Sequence, residues 1–170
     1  MFLNHIQEFF VKKSLKNNLD NVKNEVFNKD IKTIGLLIDE DKFSHSKELI
    51  NELTSHGIAD KDIRIVVYKN KFNKEMIYSF PTFGKTHIDW KGHIRETFLN
   101  EFIETEFDLL ISYYNFENSI LMMVTAQSKA KFKVGFSSVD KRLNRWMINT
   151  DLENYNLFVF ELFKYLKKIK

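Results

Sequence analysis

Residues 107–136 read FDLLISYYNFENSILMMVTAQSKAKFKVGF, and the order of patterns within them decides the fold. Phe107 to Tyr113 is a short apolar run, introduced by Asp108, with the composition of a strand buried on both faces. Asn115 to Asn118 supplies turn residues, and Ile120, Met123, Val124 and Gln127 then share one helical face through about Lys129. FKVGF, 132–136, returns to a strand pattern. Two strands joined through one helix by turns this short must run parallel, with a right-handed crossover.

Working outward, IKTIGLLI at 31–38 is a second nearly continuous apolar run that ends in Asp39, Glu40 and Asp41. A helix is predicted from Ser44 to His56, with Ser44 or Ser46 supplying the N-cap oxygen and Gly57 in the left-handed position that ends it. IRIVVY, 63–68, reads as a strand, and MIYSF, 76–80, as a third. The polar spacer between them is too short for a crossover helix, so the pair is expected to be antiparallel or joined by an irregular crossing. A helix over 94–105 leads to the strand at 107. WMIN, 146–149, suggests an edge strand, and Asp151 is placed to cap a final helix that carries Phe158, Leu162, Tyr165 and Leu166 on one side. Its closing lysines suit a helix C-terminus. The sum is an α/β protein, a Rossmann-like three-layer sandwich with a mostly parallel sheet of about five or six strands and helices on both faces.

A chain of 170 residues fits one domain over 1–170. Residues 1–27 form an amphipathic N-terminal helix in this reading, with Phe2, Ile6, Phe9 and Phe10 ahead of Lys12, Lys13 and Lys16. Docking on its own domain or on a partner is the simpler role for it, and a membrane surface the less favoured one. Seventeen phenylalanines against five glycines and one proline argue for an ordered core. The lack of cysteine excludes disulfides, thiolate metal sites and thiol nucleophiles, and fits a reducing, cytoplasmic setting. No apolar run approaches the ~20 residues that span a bilayer. The net charge of +3 is a small difference between 26 basic and 23 acidic residues, so it barely constrains partners.

Several groups of residues are candidates for function. The segment 81–93, PTFGKTHIDWKGH, gathers His87, Asp89 and His93, two imidazoles and a carboxylate able to move protons. Their spacing matches no zinc signature, and packing of Phe83 and Trp90 over the sheet edge explains the same residues. Asp39, Glu40 and Asp41 at a strand end could hold a divalent ion or a ribose hydroxyl, or complement a helix N-terminus. Ser137, Ser138 and Asp140 could bind a phosphate or simply make a turn. Lys131, Lys133, Lys141, Arg142 and Arg145, interleaved with Phe132, Phe136 and Trp146, are candidates for nucleic-acid contact, although strand alternation alone accounts for Lys131 and Lys133. Neither a P-loop nor a nucleotide-binding GxGxxG nor a GxSxG elbow is present. No metal site and no cofactor is expected.

FDLLIS, the helix beginning at a small residue and AKFKVGF together resemble the end of the N-terminal Rossmann-like domain of heptosyltransferase-type glycosyltransferases. That resemblance covers about thirty residues and implies a fold, without active-site residues. IGLLIDEDKFS lacks the glycine-rich loop those enzymes carry after their first strand, and the chain has no room for their second domain. The whole chain also looks like a member of a conserved-hypothetical bacterial family with no assigned activity. The expectation is therefore a non-catalytic cytoplasmic binding or assembly module whose partner is a protein, a second copy or, alternatively, a nucleic acid. The competing expectation is a small transferase-like or hydrolase-like enzyme in which His87, Asp89 and His93 act with Asp39.

Overall fold

A computed structural model describes residues 30–89 and 91–168. The N-terminal helix expected over 1–27 and Trp90 lie outside them. Six described strands form one sheet: β1 (Ile34–Asp39), β2 (Ile63–Tyr68), β3 (Thr82–Phe83), β4 (Leu109–Tyr113), β5 (Lys133–Phe136) and β6 (Trp146–Ile148). Their order is β3-β2-β1-β4-β5-β6 and every adjacent pair is parallel. Four described helices, α1 (Ser46–Ser55), α2 (Thr97–Glu104), α3 (Ser119–Gln127) and α4 (Tyr155–Lys168), cover it.

Alternation along β1 builds the two halves of the core. Ile34, Leu36 and Ile38 pack with α1 and α4 through Leu49, Leu53, Phe158 and Leu162. Leu37, on the other face, packs with α2 and α3 through Leu99, Phe102, Leu121 and Val124. The result is the expected α/β/α sandwich, and all six residues of β1 are buried. Gly35 serves a close approach: a Cβ there would lie 2.6 Å from the Phe107 ring.

Three local expectations need correction. MIYSF is not a strand; it is the tip of an irregular loop, where Ile77 is 99% exposed. The third strand is Thr82–Phe83, immediately after Pro81, and it runs parallel to β2. Because that strand is only two residues long, the loop from Lys69 can carry the chain back to its start without a helix, and the Pro81 carbonyl accepts the Val67 N–H at 2.9 Å. Neither Ser44 nor Ser46 caps α1, since His45 occupies the N-cap and makes no side-chain cap bond, while Ser46 Oγ is buried without a partner among the described residues. Asp151 lies in the turn before α4, where its carbonyl accepts the Asn154 N–H at 3.1 Å, one turn too early to cap a helix that begins at Tyr155. Gly57 does end α1 with φ +94°, in the left-handed region.

Candidate crevice at the carboxyl ends of the strands

The connections leaving β1 and β4 diverge, α1 to one face of the sheet and α3 to the other. In open parallel sheets this divergence leaves a crevice beyond the strand carboxyl ends, where ligands bind. Here it is a cavity of about 400 Å³ lined by Asp39, Asp41, Lys42, Tyr68, Asn70, Lys71, Phe116 and Asn118.

Asp39 is the last residue of β1, paired in register with Tyr68 at the end of β2. Its side chain is 1% exposed. Oδ1 accepts the Asp41 N–H at 3.0 Å, a turn that also lets the Asp39 carbonyl receive the N–H groups of Lys42 and Phe43. Oδ2 accepts no hydrogen bond among the described residues. Burial pushes the carboxyl up to about 6, more than the Asp41 N–H lowers it, and the nearby Asp41 charge adds to the rise. A buried carboxyl with one oxygen that lacks a donor is costly unless a ligand or water completes it.

The remaining walls follow from their elements. Asn118 caps α3, its Oδ1 accepting the Ile120 N–H at 3.0 Å, which fixes the amide so that its NH₂ faces away from the helix. The Tyr68 hydroxyl is raised by burial, an effect that the Asn118 amide partly offsets and the Asp39 and Asp41 charges reinforce. It lies 3.4 Å from Asn70 Oδ1. Asp41 Oδ2 accepts the Asn70 N–H at 2.7 Å and so ties the β1 and β2 loops together. Lys42 Nζ lies 5.4 Å from the centre of the Phe116 ring, within cation–π reach. Glu40 turns away to an ion pair with Lys69 at 3.1 Å.

The other sequence candidates are placed elsewhere. Residues 81–93 form β3, a short 3-10 turn and a small antiparallel bridge between Ile88 and Ile94. Buried His87 accepts the Gly84 N–H on Nδ1 at 3.0 Å, contacts the Phe72 ring, and is lowered by burial, with Glu96 opposing. Asp89 accepts the backbone N–H groups of Lys91 and His93 and meets the His93 ring at 3.1 Å, which orders the turn; the His93 N–H leads the effects that hold this carboxyl low. None of the three lines the crevice, and the described residues hold no group of three or more metal-ligating side chains. Ser138 Oγ donates to the Asn115 carbonyl at 2.5 Å, Ser137 Oγ to Asn149 Oδ1 at 3.3 Å, and Asp140 pairs with Arg142, so these side chains tie the loop to its neighbours and to itself.

The five cations do not form one surface row. Lys131 pairs with Asp108 at 2.9 Å, and Lys133 donates to the Thr125 carbonyl at the end of α3 at 2.8 Å. Arg145 precedes β6 and donates its N–H to the Lys133 carbonyl, whereas Lys141 and Arg142 sit in the loop beyond the opposite end of β5. The carboxyl ends of the strands expected from the sequence are Asp39 to Asp41, Tyr68 to Asn70, Tyr113 to Glu117 and Ser137 to Asp140, and they already include the lining residues Asp39, Asp41, Tyr68, Asn70 and Phe116. They leave out Lys42, Lys71 and Asn118, of which only Asn118, an N-cap residue ahead of an apolar helix, carried a local signal.

A six-stranded parallel sheet in this order, covered on both faces and open at its switch point, defines a Rossmann-like α/β protein. The chain belongs to DUF6913, a family of unknown function whose family model matches residues 7–169. Searches of curated proteins and of solved structures return no match. The glycosyltransferase resemblance of residues 107–136 thus rests on the strand–helix–strand pattern alone. No helix among the described residues is long and apolar enough to cross a membrane.

Proposed function

We propose that this protein is a non-catalytic, cytoplasmic binding module whose crevice beyond β1 and β4 takes a small ligand. The observation that carries the reading is Asp39, which lines the crevice at 1% exposure and whose Oδ2 accepts no hydrogen bond among the described residues. A fold that retains an incompletely bonded buried carboxyl at the usual ligand position gives up stability there, and ligand contact restores it. The assembly side of the reading, a protein partner or second copy, uses surface away from the crevice. Engagement of Lys131, Lys133 and Arg142 by neighbouring groups weighs against nucleic acid.

The second reading is an enzyme, and one observation favours it: a carboxyl at about 6 exchanges protons readily near neutrality. It needs a partner group within reach, and His87, Asp89 and His93 lie outside the crevice lining. The test is a screen of small polar metabolites for thermal stabilisation of the wild-type chain and of Asp39→Asn. Binding predicts compounds that raise the melting temperature of the wild type and not of the variant. Stabilisation that is identical in both, or none at all, overturns the assignment of the crevice.

A further inference from the structure

We infer that the crevice recognises a polyhydroxylated ligand, a sugar or other polyol, through a hydroxyl group that donates to Asp39 Oδ2 and accepts from the Asn118 amide. This inference rests on the binding reading above and names its ligand class.

Size, charge and hydrogen-bond pattern each narrow the choice. A cavity of about 400 Å³ is near the small end of ligand pockets, which run ~300–1,000 Å³, so it suits a compact molecule better than an extended dinucleotide. Its lining carries Asp39 and Asp41 together with Lys42 and Lys71. Two carboxylates against two ammonium groups leave little net field, which favours neither a polyanion nor a bare divalent cation. The local pattern then decides. Among the lining residues are an acceptor with no described donor, Asp39 Oδ2, and the donor NH₂ of Asn118, while the Tyr68 hydroxyl, whose proton goes to Asn70 Oδ1, can accept. A ligand hydroxyl donates and accepts at once and so satisfies both, whereas an ammonium only donates and a fully ionised phosphate ester only accepts. A neutral hydroxyl also avoids desolvating a second charge beside a buried carboxylate. Phe116, also among the lining residues, offers apolar ring surface to the C–H side of a sugar where Lys42 does not cover it.

The test uses the full-length ¹⁵N-labelled chain titrated with D-ribose, D-glucose and myo-inositol, and separately with glycine, inorganic phosphate and Mg²⁺. At least one polyol is expected to shift the backbone amides of Asp41 and Asn70 and the side-chain NH₂ of Asn118. Asp39→Asn should weaken that binding by about tenfold or more through loss of a charge-assisted bond, and Tyr68→Phe, which keeps the packing, by a few-fold. Polyol binding that is unchanged in Asp39→Asn overturns the inference. If glycine, phosphate or Mg²⁺ shifts these signals and the polyols do not, the ligand class is wrong while the crevice stands. If none of the probes moves them, the polyol inference falls, and the small-metabolite screen then decides separately on the crevice itself.

Discussion

Asp108 and Asp39 stand at opposite ends of the same sheet and show how differently one side chain is used. At the amino end, Asp108 accepts the Lys32 N–H, the Thr33 N–H, the Thr33 hydroxyl and the Lys131 ammonium, and its own N–H returns to Thr33 Oγ1. Burial alone would raise this carboxyl, but Lys131 and the two backbone donors outweigh it and hold the group below its usual range. At the carboxyl end, Asp39 is more deeply buried and has a single donor, so burial wins and the carboxyl rises. The number of donors aimed at each carboxylate, rather than burial by itself, separates a structural clamp from an open site.

Removing the clamp should have the largest effect. Asp108→Ala strands the Lys32 and Thr33 donors at the junction of β1 and β4, and is expected to lower unfolding free energy by about 3 kcal/mol in urea at pH 7. Because the folded Asp108 carboxyl is depressed, its contribution is present above the unfolded value of ~3.9 and disappears as pH falls through the folded value. The gap between wild type and variant should therefore close in acid. A gap that persists unchanged at pH 3 would contradict the electrostatic account.

Gly35→Ala tests whether the amino end is as tightly packed as it is bonded. With a Cβ 2.6 Å from the Phe107 ring, a loss of about 2 kcal/mol is expected by urea denaturation. A neutral result would mean that the ring shifts freely and that packing there is loose.

Asp39→Asn should act in the opposite direction to Asp108→Ala. The folded carboxyl, at about 6, holds its proton more tightly than the unfolded one, so its contribution to stability is greatest below ~pH 4 and declines as pH rises toward 6. The variant removes that decline. It should be more stable than wild type by about 1.5 kcal/mol at pH 8 and equal to it near pH 4, as read by thermal unfolding across pH. Destabilisation at pH 8 would erase the contrast between the two ends.

The smallest effect belongs to the edge loop. His93 is 73% exposed and its pair with Asp89 is a surface one, so His93→Ala should change unfolding free energy by less than about 0.5 kcal/mol and leave ligand binding in the crevice unchanged. A loss of binding would bring the 81–93 loop back to the site.

Much of this fold was legible because its signals are long and regular. β1 and β4, within the apolar runs at 31–38 and 107–113, are buried along their whole length, and strands of that kind need no tertiary information to stand out; 63–68 stood out by its β-branched residues, although Arg64 is exposed. Gly57 was legible because few other residues tolerate its backbone angle. Thr82–Phe83 was not, since two residues carry no periodicity, and MIYSF offered a better strand pattern that packing does not use. The cap of α1 was misread because Ser46 is buried inside the first turn, a fact of packing rather than of residue type. In the candidate site, His87, Asp89 and His93 drew attention by composition, yet short-range turn bonds occupy two of them and the Phe72 ring covers the third.

The amino-acid sequence by itself determined a parallel α/β core, the helices that cover it and the strand ends at which a site could lie, because burial on two faces and helical spacing are local patterns. Only the tertiary structure decided that the strand–helix–strand unit at 107–136 meets β1 in a sheet whose order opens a crevice between them. It alone also decided that Asp108 is saturated with donors while Asp39 is not. Hydrogen-bond saturation depends on groups brought from 75 residues away, as Thr33 is to Asp108, and no local pattern encodes it.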